Sequence, residues 1–408
     1  MSQTQFDAIV VGARCAGSTA AYYLSRAGYR VLLVDRTFFP SDVLSTHTLF
    51  NNTVDTLRDM GVLDKLLETD TPVVNGCRFQ FDDAVIEGNM PLYNGESASY
   101  CFRRTYFDQI LLDHARAQEG VTALEGFRVT ETLEENGTVI GVRGHLRDGD
   151  VQEFRAKIVI GADGRVSTIR KQVEAQLKFS TPTDYGTYYG YFANLPAHPH
   201  SYLEIYQLGI PRAYIFPTSD GHHIVAACFP LADKDLIQLF KKEPEKTLRD
   251  YMTNFMGETN IPERLEKAVL AEPIKGILDF DNHWYQGMGK GWALTGDAIC
   301  FKDPGMGQGM HDAIFGARIL ANVLSRYEDW AANWEEMSNA YQQEIESEFM
   351  VRFQMCCQIT KAVAFPPEEQ AKNRAIAANP QATQAFLGLY NYAHEPHEIE
   401  AAFHTTNA

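Results

Sequence analysis

Three short clusters hold residue types and spacings that can do chemistry. Gly12-Ala13-Arg14-Cys15-Ala16-Gly17 falls between an apolar run, Asp7 to Val11, and a helical pattern reaching about Ala27, where Gly28 stops it. A loop of this kind turns tightly at its first glycine and lets helix and strand approach at its last. It offers backbone N–H groups at a positive helix end to a pyrophosphate. Arg14 stands at the position of the middle glycine, so its side chain must point away from a phosphate or lie across it. Asp35 ends the next apolar run, Arg30 to Asp35, and lies 18 residues past Gly17 (35 − 17). That is close to the spacing of a carboxylate accepting from a ribose diol. Arg36 beside it suits a 2′-phosphate instead. Taken alone, the cluster fits many nucleotide-binding proteins and also a plain βα turn.

The second cluster, Ile158 to Arg170, places Asp163-Gly164 at the end of an apolar run, with Ser167 and Arg170 behind it. A carboxylate there can reach sugar hydroxyls or hold neighbouring backbone; Asp-Gly alone is commonly a strand-end turn. The third, Leu294 to Gly309, contains Gly296-Asp297 followed by Asp303-Pro304-Gly305-Met306-Gly307-Gln308-Gly309 and a long helical pattern. Together the three, in this order, resemble the para-hydroxybenzoate-hydroxylase type of FAD-dependent monooxygenase, in a wider superfamily with geranylgeranyl reductases and flavin halogenases. The resemblance spans about three quarters of the chain, residues 7 to 315.

Carried over position by position, the resemblance implies noncovalent FAD. Gly12, Arg14, Ala16 and Gly17 meet the pyrophosphate, Asp35 takes the adenosine ribose with Arg36 beside it in the cofactor set, and Arg104 lies near the phosphates. Val129 lies beside adenine through its backbone, and Asp163 belongs to the Asp-Gly motif. Asp297 holds the ribityl chain, and Pro304, Gly305, Gly307, Gln308 and Gly309 approach the ring. A helix start there would stabilise negative charge on reduced flavin. Thr46, in Ser45-Thr46-His47, joins the cofactor set. Departures from the family pattern are Arg14, Cys15, and Cys300-Phe301-Lys302 where many members carry a histidine.

The elements that must position these residues read as an α/β chain. A Rossmann-like FAD-binding domain (1–75, 101–175, 276–330) would hold an inserted antiparallel-sheet substrate domain of α+β character (76–100, 176–275). A C-terminal helical region (331–408) follows. The spacing predicts a helix over Arg103 to Gln118. Strands are predicted at Phe127 to Leu133, Thr138 to Leu146 and Val151 to Phe154, turning at Asn136-Gly137 and Asp148-Gly149. A separate buried strand is expected at Lys157 to Ala162. The aromatic alternation of Tyr185, Tyr188, Tyr189, Tyr191, Tyr202 and Ile205 predicts a second sheet, covered by helices over Asp235 to Phe255 and Pro262 to Leu270.

The chain has 408 residues, 45% hydrophobic and 22% charged, with a formal net charge of −17. Nucleic acid and anionic membrane are poor partners for such a charge. No apolar run approaches the ~20 residues of a membrane span, and no signal-peptide pattern opens the chain, so a cytoplasmic location is expected. Seven scattered cysteines without a Cys-x-x-Cys pair suit buried thiols. No metal site is expected: His198 and His200 flank Pro199 without further ligands at suitable spacing.

The activity expected from the resemblance is hydroxylation or epoxidation of a largely apolar or aromatic small molecule, with O2 and NAD(P)H as a transient reductant. A flavin C=C reductase is the alternative, supported by Tyr214-Ile215-Phe216-Pro217. A halogenase ranks lower because no Trp-x-Trp-x-Ile string surrounds Trp284, Trp292, Trp330 or Trp334. A flavin-binding scaffold without turnover is a reading of a different class: the divergent flavin loops support it, and the retention of nearly all cofactor positions speaks against it. His47 is the candidate base, because an unperturbed histidine switches near neutral pH, with a satisfied loop histidine as the plainer reading; Tyr214 is a candidate for orienting the substrate, with core packing as its plainer reading. His222 and His223 lie at a strand where only one can face a pocket.

Overall fold

The computed structural model describes residues 5–43, 45, 47–147 and 149–404. Strand β1 (Gln5–Val11), helix α1 (Cys15–Arg26) and strand β2 (Val31–Asp35) form the expected βαβ unit. β1 lies between β2 and the strand Val151–Gly161, parallel to both, and the sheet extends through Trp292–Leu294 on one side and Val121–Glu125 on the other. The central strands Ile9 to Val11, Val31 to Val34 and Ile158 to Ile160 are buried on both faces. This is why they read as unbroken apolar runs.

Two expected strands prove to be one. Val151–Gly161 pairs antiparallel with Thr138–Leu146 along its first half and parallel with β1 along its second. Polar residues before Ala156 hide the continuity, because that half is exposed while the rest is buried. The expected helix over Asp235 to Phe255 is two, Lys234–Lys242 and Pro244–Phe255, since Pro244 lacks the N–H to continue the first and opens the second. The apolar run from Pro262 likewise ends as a short helix, Ile261–Glu266, and a two-residue strand, Val269–Leu270.

The second sheet runs in the order Val269–Leu270, Tyr185–Ala193, His223–Pro230, Arg212–Pro217, Tyr202–Gln207, Gly76–Phe81, Ala84–Asn89. Gly76–Phe81 pairs parallel with Tyr202–Gln207, and the other neighbours pair antiparallel. Alternation along its strands sorts its residues by face. Ala213, Ile215, Val225, Ala227 and Phe229 pack under the helices Lys234–Lys242 and Pro244–Phe255, with Phe240, Leu248 and Tyr251. Tyr189, Tyr191, Tyr214, Phe216 and Ile224 form the opposite face, packed with Phe50, Phe79, Leu387 and Leu389. Arg264 forms a two-pronged ion pair with Glu204 at 2.8 Å for each bond, both side chains buried, and fixes the helix Ile261–Glu266 to the sheet.

Strand Leu177–Pro182 stands apart, pairing with Asp281–Tyr285, which pairs in turn with Cys300–Phe301. Helices Gly309–Ser325 and Trp334–Ile359 pack on the parallel sheet, and Pro367–Ala378, Pro380–Gly388 and Pro396–His404 finish the chain. All seven cysteines are unpaired thiols, six of them buried. No helix among the described residues is long and apolar enough to cross a membrane.

Candidate functional site: a nucleotide cradle and its glycine loop

The first glycine loop is built by contact too close for side chains. A Cβ on Gly12, whose φ is +104°, would lie 2.3 Å from the Ala162 carbonyl oxygen, and one on Gly17 would lie 1.6 Å from the Gly12 carbonyl oxygen. Both positions therefore require glycine. Asp35 pins the loop from β2: its Oδ2 accepts from the Ala13 N–H and its Oδ1 from the Thr37 N–H, each at 2.8 Å. The carboxylate expected at a ribose thus first holds the turn, and has lone pairs left for a hydroxyl. Arg36 beside it is exposed.

Arg14, the residue that caps α1 at its N-terminus, is held by two other segments. Its Nη1 donates to Asp108 Oδ2 at 2.6 Å and its Nη2 to Ser41 Oγ at 2.6 Å. Arg104 donates to the same carboxylate through Nε and Nη2. Two guanidinium groups thus share one buried aspartate, which leaves one unit of positive charge beside the unpaired N–H groups that open α1. Asp108 was invisible as a site residue in the sequence. Its only signal was its place four residues after Arg104, on the same helix face.

The other two clusters close on this cradle. Asp163 accepts from Ser167 Oγ at 2.5 Å and from the N–H groups of Thr168 and Ile169, so of its two expected roles the backbone-holding one is satisfied within the chain. Arg170 donates from Nη1 to the Ala298 carbonyl at 2.8 Å, tying the second cluster to the third. Gly296, at φ +61°, brings that third cluster so near α1 that a Cβ would lie 2.9 Å from the Ala16 side chain. Next to it, Asp297 receives no hydrogen bond on its carboxyl among the described residues. Burial raises its pKa to about 6, against the lowering pull of Arg104 and with a further rise from Asp312. Gly309, opening its helix, would carry a Cβ 4.0 Å from Asp297 Oδ1.

The glycine loop is shaped by Asp303, which accepts from Gly305 N–H at 2.8 Å and from Thr183 Oγ1 at 3.1 Å. Pro304 starts the single turn Pro304–Met306, and Gly307 follows at φ +67°. Gln308 donates from Nε2 to the Tyr390 carbonyl at 2.9 Å, which draws the C-terminal segment against the loop. From the sheet side the Tyr214 hydroxyl reaches within 3.1 Å of where a Gly305 Cβ would stand, and the Phe50 ring within 3.5 Å at Gly307. Tyr214 thus faces the loop with its hydroxyl. Val129 lies in the strand Phe127–Glu135, its side chain buried in the parallel-sheet core. Thr46 lies outside the described residues.

His47 departs from the expectation of a neutral-pH switch. Its ring is fully buried, its Nδ1–H donates to the Ser45 carbonyl at 2.6 Å, and its Nε2 accepts from the Tyr191 hydroxyl at 2.6 Å. Burial first, and Arg104 next, push its pKa down to about 3. It is a neutral ring with both nitrogens engaged, holding Tyr191 in place. Sequence offered no sign of Tyr191 as its partner, because the two lie 144 residues apart, His47 in a loop and Tyr191 in a strand of the second sheet. His223 opens a strand, buried without a ring partner among the described residues, while His222 precedes that strand. Among the described residues no three His, Cys, Asp or Glu side chains converge as a metal site.

These features suit a dinucleotide. The glycine cradle leaves no room for side chains, the helix start with two arginines fits a pyrophosphate, and an unengaged carboxylate lies inside the site for hydroxyls. Comparison with known proteins agrees. The chain matches the FAD binding domain family over residues 5–347. It is 27% identical over 360 residues to digeranylgeranylglycerophospholipid reductase 2 of Methanothermobacter thermautotrophicus, covering 79% of this chain and 82% of that one. Among solved structures it is similar to the flavin-dependent brominase Bmp2, with a TM-score of 0.80, 17% identity and 99% of each chain covered. It is also similar to PqsL, a probable FAD-dependent monooxygenase from Pseudomonas aeruginosa, with a TM-score of 0.70, 20% identity, and 95% of this chain and 100% of that one covered.

Two outcomes are expected. Asp297→Ala should weaken FAD binding about ten- to hundredfold, as loss of a charged hydrogen bond worth roughly 1.5–3 kcal/mol requires. Asp303→Ala, which loses a loop contact, should weaken it less; titration of the apoprotein with FAD checks the order. Stability should also fall in acid. His47 at about 3 and His223 and His283 at about 4 all lie below the ordinary 6.5, each chiefly through burial. The unfolded chain therefore takes up protons first, so the histidine contribution is whole above pH 6.5 and is lost as pH falls toward 4. Melting temperatures measured between pH 7.5 and 5 should drop, and Phe in place of His223 should flatten the slope.

Proposed function

Because this chain belongs to the FAD binding domain family, we propose that it is an FAD-dependent monooxygenase that hydroxylates or epoxidises a largely apolar or aromatic small molecule, with NAD(P)H as a transient reductant and O2 as co-substrate. The observation that carries the reading is the tyrosine-rich face of the second sheet. Tyr189, Tyr191, Tyr214 and Phe216 form one buried cluster with Phe50 on the side from which the Tyr214 hydroxyl meets the Gly305 loop. Flat apolar molecules gain area and offset stacking against such a wall, while a few hydroxyls fix their orientation.

The residues divide the work by position. Arg14 and Arg104, one charge in excess over Asp108, and the open N–H groups of α1 balance the pyrophosphate. Asp35 offers a ribose its remaining lone pairs while holding the turn, and Asp297 accepts from the ribityl hydroxyls. The helix starting at Gly309 presents its positive end where negative charge develops. Bound flavin supplies the two-electron and oxygen chemistry itself. Tyr214 orients the substrate, and the aromatic face keeps water out. His47, neutral and fully engaged, fixes the Tyr191 hydroxyl and so positions this wall; it is not a base in this account. The division into an FAD-binding part (1–75, 101–175, 276–330) and a substrate part (76–100, 176–275) belongs to the same reading.

A second reading, a flavin C=C reductase, draws on the similarity to digeranylgeranylglycerophospholipid reductase 2 and on Tyr214, the first residue of the Tyr214–Pro217 string, whose hydroxyl faces the loop. The product's mass separates them. Apolar and aromatic candidates that accelerate NAD(P)H oxidation should yield, under isotopically labelled O2, a product carrying one labelled oxygen atom. An anaerobic product heavier by two hydrogens would reject monooxygenation in favour of the reductase.

A further inference from the structure

Lys302 and Asp312 flank the glycine loop in sequence and form an ion pair across its base, with side chains 2% and 4% exposed. Asp312 lies in the first turn of Gly309–Ser325 and also accepts from His311 Nδ1 at 3.1 Å and from the Tyr392 hydroxyl at 3.3 Å. The Lys302 ammonium has the Phe349 ring 5.8 Å away as its other near neighbour. His311 is stacked between Phe315 and Tyr392, at 4.1 and 4.3 Å. Among the described residues no other charged side chain forms an ion pair with either member apart from His311, and the two members act on the field at Asp297 in opposite senses.

A full negative charge in the first turn opposes the positive end of the helix, whose strength is about half a unit charge. In a buried setting such a charge acts over several ångströms with little screening. Lys302 cancels it. We propose that the Lys302–Asp312 pair sets the reduction potential of the bound flavin, Lys302 neutralising Asp312 so that the helix start at Gly309 keeps its positive field toward the reduced, anionic ring. The proposal rests on the assignment of FAD to this loop. It gives Lys302, a departure from the family pattern, a role: it is a tuning residue that acts through the field and touches no reacting atom.

The test is the midpoint potential of the FAD-loaded protein, measured by equilibration with reference dyes in wild type, Lys302→Met, Asp312→Asn and the double variant Lys302→Met/Asp312→Leu. Lys302→Met leaves an uncancelled negative charge and should make the potential more negative. Asp312→Asn leaves an uncancelled positive charge and should make it more positive, and the neutral double variant should return toward wild type. If Lys302→Met does not hold FAD, the sign of the Asp312→Asn shift decides. FAD-loaded variants with the wild-type potential, or single variants that shift in the same direction, would overturn the proposal. A wild-type protein that binds no FAD would instead sink the flavin assignment beneath it.

Discussion

Backbone meets backbone at Gly12 and Gly17, and the cradle depends on that closeness. With a side chain at Gly17 the helix α1 could not lie against the loop, and with one at Gly12 the strand end at Ala162 would be driven away. The contact of Gly12 with Ala162, the Arg170 bond to Ala298 and the approach of Gly296 to Ala16 gather three clusters, separated by well over a hundred residues, near the start of α1. The parallel sheet explains why they can meet: β1, Val151–Gly161 and Trp292–Leu294 are neighbours with their C-terminal ends side by side. Ligands bind at that end in open α/β sheets.

Electrostatics completes what packing begins. Aspartates of the site are handled in three ways: Asp108 is shared by two arginines, Asp35, Asp163 and Asp303 are occupied by the chain's own N–H and hydroxyl donors, and Asp297 is left with its carboxyl unengaged. Burial raises the pKa of Asp297, which is the cost of keeping an acceptor ready without a protein donor. The second sheet adds a buried face of Tyr189, Tyr191, Tyr214 and Phe216, so the surroundings of the glycine loop differ in character from those of the charged cradle.

The glycine clusters were legible in the sequence because their function is local: a tight turn and a helix start follow directly from residue order. The alternating face of the second sheet was legible too, since period two is a local signal. What could not be read was pairing at long range. Tyr191 under His47, Asp108 between Arg14 and Arg104, and Tyr390 against Gln308 each join elements that only the fold brings together. The same cause hides the setting of His47. By sequence His47 could be either a titrating or a satisfied loop histidine, and its burial and its bond to Tyr191 are invisible until the second sheet is in place.

The central claim is that these clusters form one FAD site, and the most direct measurement is the identity and amount of nucleotide released when the purified protein is denatured. A yellow protein that releases noncovalently held FAD, at about one per chain, is expected. Recovery of NADP in its place, with no affinity for added FAD, would contradict it.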